Sequence, residues 1–64
     1  MQDSWSKKQA DGRTVTYTSH GEAGAGFVHT VAVEGRSVTE TTSSLGPLTR
    51  EQVEALFADF VGKN

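Results

Sequence analysis

The amino-acid sequence predicts an α+β domain: a four-stranded antiparallel β-meander followed by one C-terminal amphipathic helix packed on one face of the sheet (β-β-β-β-α). Three observations carry that expectation. Runs of β-branched and aromatic residues alternate with period two, the mark of strands with one buried side. Turn signals containing glycine separate those runs. Near the C-terminus the apolar spacing changes to three and four, the period of a helix.

Residues 13–20 alternate Val15, Tyr17, Ser19 with Thr14, Thr16, Thr18. Asp11-Gly12 just before them is a strong hairpin signal, because Gly tolerates positive φ, and it links residues 4–9 to 13–20. Two registers are open. A two-residue loop sets Trp5 opposite Thr18, on the threonine side; a three-residue loop through Arg13 sets Trp5 opposite Ser19, on the Val15/Tyr17 side. One residue of slip exchanges the faces. The second register is preferred, since a buried Trp5 adds core to a chain with little of it.

Residues 21–26, Gly-Glu-Ala-Gly-Ala-Gly, form a flexible connection. A phosphate-binding reading fails because a strand follows the last glycine, whereas such loops lead into a helix N-terminus. Residues 27–34 are the most apolar strand and so a central one. Glu34-Gly35 makes the next turn, expected to pair Val31 with Val38, His29 with Glu40 and Phe27 with Thr42. Residues 37–43 hold a single aliphatic side chain, Val38, which suits an edge strand.

Thr49-Arg50-Glu51-Gln52 fits a capping box, with Leu48 and Val53 placed for a hydrophobic staple. Val53, Leu56, Phe57, Phe60 and Val61 then trace one helical stripe, and Gly62 stops it. The stripe is expected to cover Val15, Tyr17, Val31, Val33 and Val38. Arg50, Glu51, Glu54, Ala55, Ala58 and Asp59 are expected on the solvated side of the helix.

Composition bounds the function. The 64 residues form one domain, residues 1–64, with 22 apolar side chains, near the lower limit for a chain that folds alone. Domains this small often add a disulfide, a metal or a second copy of themselves. No cysteine is present, which removes disulfides, thiol catalysis and Cys-ligated zinc. With no apolar run long enough for a leader or a span, a cytoplasmic protein with no membrane association is expected. The net charge of −2 gives no basic patch of the kind nucleic-acid binders carry.

Two groups of residues stand out. A sheet covered by one helix leaves its other face open, and here that face should carry Thr14, Thr16, Thr18, Val28, Thr30, Ala32, Thr39 and Thr41, a half-apolar surface suited to a second copy of the sheet. Tyr17, His29 and Glu40 would form a cross-strand polar row that could fix a histidine tautomer; the plainer reading is a polar margin of the core. His20, Glu22 and His29 could be offered as metal ligands, but His20 sits at a strand end, Glu22 on a flexible loop and His29 on the face of its strand opposite the Thr row, so no metal and no other cofactor is expected. The function expected is a non-enzymatic interaction or regulatory module, homodimeric through its Thr-rich face, that binds a protein partner. The alternative is a single-stranded nucleic-acid-binding domain: the ββββα order resembles that of small domains that bind single strands on a curved sheet. The resemblance is one of topology alone, and such sheets need cations and exposed aromatic rings for stacking.

Overall fold

A computed structural model of the chain describes residues 1–63. Strands β1 (Gln2–Lys8), β2 (Thr14–Glu22), β3 (Gly26–Val33) and β4 (Glu40–Ser44) form one antiparallel sheet in the order β1-β2-β3-β4. Two short helices follow, α1 (Arg50–Leu56) and α2 (Ala58–Gly62). The expected α+β meander is present, with its helix broken once.

The first hairpin keeps the favoured face for Trp5 but changes the register by two. Trp5 pairs with Tyr17, not Ser19. The loop has three residues, Ala10-Asp11-Gly12, closed by bonds from the Gln9 amide to the Arg13 carbonyl (2.8 Å) and from the Gly12 amide to the Gln9 carbonyl (3.0 Å). Gly12 takes φ +89°, the left-handed residue that ends a three-residue hairpin loop. The Asp11 carboxylate accepts from the Arg13 amide at 3.0 Å and so fixes the loop in place of a tighter turn.

The glycine-rich connection is shorter than its composition suggested. Gly21 and Glu22 belong to β2, Gly26 opens β3, and only residues 23–25 are loop. A Cβ on Gly21 would lie 2.3 Å from the Gly26 carbonyl oxygen and 2.6 Å from Phe27 Cα. Glycine is needed there because the neighbouring backbone passes directly over it.

The third connection departs furthest from expectation. Val31 pairs with Glu40, His29 with Thr42 and Phe27 with Ser44, two residues off the tight-turn register. Residues 34–39 form a longer link. Arg36 holds it: its guanidinium donates to the carbonyls of Phe60 and Val61 and lies 5.0 Å over the Phe60 ring. These bonds satisfy carbonyls that a helix C-terminus leaves free. Val38 is therefore 63% exposed, outside both sheet and core.

One side of the sheet is the core. Val15, Tyr17, Val31, Val33, Val53 and Phe57 are buried together, with Trp5, Leu48, Phe60 and Val61 half-buried around them. The capping box is formed as expected: the Gln52 amide donates to Thr49 Oγ1 (3.1 Å) and the Thr49 amide to Gln52 Oε1 (2.9 Å). Leu56 is 54% exposed, which corrects its place in the stripe. At about 100° per residue, Val53, Phe57, Phe60 and Val61 centre on a direction nearly a right angle from Leu56. Phe57 breaks the helix at φ −100°, ψ 9° while sinking into the core.

The opposite flank of that stripe brings Arg50 and Glu54 onto β1, where Glu54 is half-buried and Arg50, still exposed, reaches Asp3. Arg50 binds both carboxylate oxygens of Asp3 (2.8 and 2.9 Å) and lies 4.9 Å over the Trp5 ring. Glu54 accepts from Trp5 Nε1 at 2.9 Å and Lys7 Nζ at 3.1 Å. Trp5 stacks on Tyr17 with ring centroids 5.2 Å apart. The bonds from Trp5 and Lys7 hold the Glu54 carboxyl below its ordinary value, and Arg50 does the same for Asp3.

Candidate functional site

The far side of the sheet carries no covering segment among the described residues. Registers place Ser6, Thr16 and Ala32 in one cross-strand row, Ser4, Thr18, Thr30 and Thr41 in the next, and Gln2, His20, Val28 and Ser43 in a third. Thr16, Thr18, His20, Val28, Thr41 and Ser43 are exposed, while Thr14, Thr30 and Ala32 are half-buried. Seven of the eight residues singled out for this face share it. Thr39 does not, because it lies in the 34–39 link before β4 begins.

Charge is absent from the middle of this surface. Lys8, Glu22 and Glu34 sit at its margins by strand parity, and none of the chain's 14 Lys, Arg, Asp and Glu residues falls in the three central rows. Aromatic rings are also absent there. Trp5, Tyr17, Phe27, Phe57 and Phe60 are buried or half-buried away from it. The ring that the alternative Trp5 register would have offered for base stacking is thus turned to the core.

The Tyr17–His29–Glu40 row is not formed. Tyr17 is paired with Val31 and Val31 with Glu40, so His29 lies in the neighbouring row, between Ser19 and Thr42. Glu40 is exposed and lies one row away from the imidazole. The long 34–39 link slides β4 by two residues and takes Glu40 off His29, while the β2–β3 register sets Tyr17 opposite Val31. Burial raises the Tyr17 phenol above its ordinary value, with the Glu54 charge adding to it.

His29 instead sits at the centre of a buried hydroxyl chain. It has no exposed surface. Ser19 Oγ lies 2.8 Å from Nδ1, Ser44 Oγ lies 2.8 Å from Nε2, and the Ser44 hydroxyl donates to the Gly46 carbonyl at 2.7 Å. Since the Ser44 proton goes to Gly46, its oxygen accepts from Nε2–H. Nδ1 then accepts from the Ser19 hydroxyl, each group using its donor once. The imidazole ties the end of β2 to β4 and the following loop. Ser19 is only 2% exposed, so the Ser19–His29 pair is sealed from any substrate. Ser19 and Ser44 were missed as a pair because their meeting depends on the β4 register, although Ser19 at an inward position after Val15 and Tyr17 was a signal of a buried polar contact.

His20 and His29 face opposite sides of the sheet. Among the described residues no group of three His, Asp or Glu side chains converges to hold a metal ion, and no helix is long and apolar enough to cross a membrane.

The chain matches no protein-family model, no curated protein and no solved structure.

Proposed function

We propose that the protein is a small interaction module that acts by binding rather than by catalysis, and that it associates with a second copy through the Thr-rich sheet face. The observation that carries this reading is a four-stranded face that no other described residue covers and that holds no Lys, Arg, Asp or Glu across its three central rows. Depletion of charge marks the buried centre of protein interfaces, and ordinary solvated sheet faces interleave Lys, Arg, Asp and Glu. His29 is sealed in the core, and His20 is the one imidazole the face exposes. A cysteine-free chain suits a cytoplasmic setting.

Size sets the strength. Four strands about 4.8 Å apart and about six residues at about 3.4 Å each span roughly 400 Å². Two such faces, with the relief of their side chains, bury on the order of 1,000 Å² in total, the lower bound of a specific interface. The dimer is therefore weak, dissociating at micromolar concentration or above.

Sedimentation equilibrium tests it. The wild-type mass should rise with concentration above 6.8 kDa. Thr18→Glu, which sets a carboxylate in the middle row, should end association through this face with the fold intact, so that the signals of Thr16, Thr30 and Ala32 no longer move with concentration. A folded wild type that stays monomeric up to about 1 mM ends the reading.

A further inference from the structure

We propose that β4 is a second self-association site, distinct from the Thr-rich face: two copies pair their β4 strands antiparallel about a two-fold axis and extend the sheet across the join.

The two edges of the sheet are treated differently. β1 carries Asp3, Lys7 and Lys8, and its side chains are engaged by Arg50 and Glu54. Charge on an edge strand discourages pairing with another chain. β4 reads Glu-Thr-Thr-Ser-Ser, with no Lys, Arg or Pro and one charge at its end.

The hydrogen-bond phase shows which groups are free. The Glu34 amide donates to the Thr14 carbonyl at 2.9 Å, so these two form a hydrogen-bonded pair. Bonded pairs alternate along an antiparallel ladder. With the observed registers, residues 28, 30 and 32 of β3 bond to β2, and residues 27, 29 and 31 bond to Ser44, Thr42 and Glu40. Thr41 and Ser43 therefore aim their amide and carbonyl groups away from the sheet.

A two-fold axis at Thr42 satisfies them. Thr41 then pairs with the partner's Ser43, and Ser43 with the partner's Thr41, giving four backbone bonds. The same register answers the two most exposed large hydrophobic residues. Val38, 63% exposed, and Leu45, 93% exposed, lie just beyond the two ends of β4. Antiparallel pairing brings the end of each β4 that carries Leu45 to the end of the partner strand that carries Val38, twice over. A hollow of about 430 Å³ lined by Phe27, Val28, Ser43, Ser44 and Leu45 opens at the end where the partner's Val38 arrives. Charge is compatible as well: Glu40 faces the partner's Ser44, and the two Glu40 residues are about 14 Å apart along the strands, beyond the screening length of about 8 Å.

The site does not rest on the face reading, and its test removes the face first. In a Thr18→Glu background, ¹H–¹⁵N spectra and sedimentation equilibrium are recorded up to about 1 mM. The amide signals of Thr41, Ser43 and Leu45 should shift with concentration while the mass rises above 6.8 kDa. Ser43→Pro deletes an outward amide and leaves the β3 ladder its donors, as proline on an edge strand can; Leu45→Lys alters a side chain with almost no intramolecular contact. Both should abolish the shifts and the mass increase. Should Ser43→Pro unfold, Leu45→Lys decides alone. A Thr18→Glu chain that remains at 6.8 kDa with stationary signals overturns the proposal. So does a Leu45→Lys chain that associates like its parent, or an edge that accepts foreign extended peptides while its own copies stay apart.

Discussion

Replacing His29 with Phe fills the site with a ring but removes both imidazole nitrogens. The two bonds lost, each 2.8 Å long, are worth about 0.5–1.5 kcal/mol apiece. Their partners fare differently. Ser44 is half-buried and keeps its bond to the Gly46 carbonyl, so it loses little more. Ser19, 2% exposed, is left without the acceptor for its hydroxyl, and a buried polar group in that state costs about 1–3 kcal/mol. The sum is about 2–6 kcal/mol, a large share of the roughly 3–10 kcal/mol that 64 residues can be expected to have. Urea unfolding followed by Trp5 fluorescence reads it, since Trp5 stacks on Tyr17 only in the folded state. Ser19→Ala added to His29→Phe should return about 1–3 kcal/mol, because the orphaned hydroxyl is gone. Strictly additive losses, or a His29→Phe midpoint equal to that of the parent, would refute the hydroxyl chain.

Three further outcomes are expected. Phe57→Ala should cost about 3–5 kcal/mol, whereas Leu56→Ala, at a residue the sequence stripe treats as its equal, should cost about 1 kcal/mol or less; the same urea titration separates them. Gly21→Ala should cost on the order of 3 kcal/mol, because its Cβ meets backbone that cannot move aside; thermal melting gives the loss. Asp3 and Glu54 are held below their ordinary values of 3.8 and 4.5, so the stability they contribute is complete above those values and is lost as pH falls through their lower folded-state values. An acid titration of stability should therefore be shallower in the Asp3→Asn/Glu54→Gln variant, with a small difference that added salt reduces, as for any exposed pair.

Elements were legible in the sequence wherever a local signal decided them. The capping box at Thr49 and Gln52 and the Val15/Tyr17 alternation follow from residues within one strand or one helical turn, whereas the inward turn of Trp5 followed from the chain's need for core. Register was not legible. The Asp11 bond to the Arg13 amide and the Arg36 bonds to the helix C-terminus each shifted a strand pairing by two residues. A shift of two preserves the face and changes the neighbour, so the Thr-rich side was assigned correctly except at Thr39, while the Tyr17–His29–Glu40 row dissolved. The contacts of Arg50 and Glu54 with β1 were missed for a related reason: a helical wheel gives angles about the axis and leaves open which flank meets the edge strand. The hydroxyl chain of His29 needed the β2–β3 and β3–β4 registers together, and no single segment of sequence contains it.

The association of the threonine face is read most directly by methyl and amide chemical shifts followed through dilution. Signals from Thr16, Thr18, Thr30, Val28 and Ala32 should move together as the concentration falls, while those of Val53 and Phe57 stay fixed. Movement confined to the helices, or stationary signals throughout a range in which the mass changes, would contradict it.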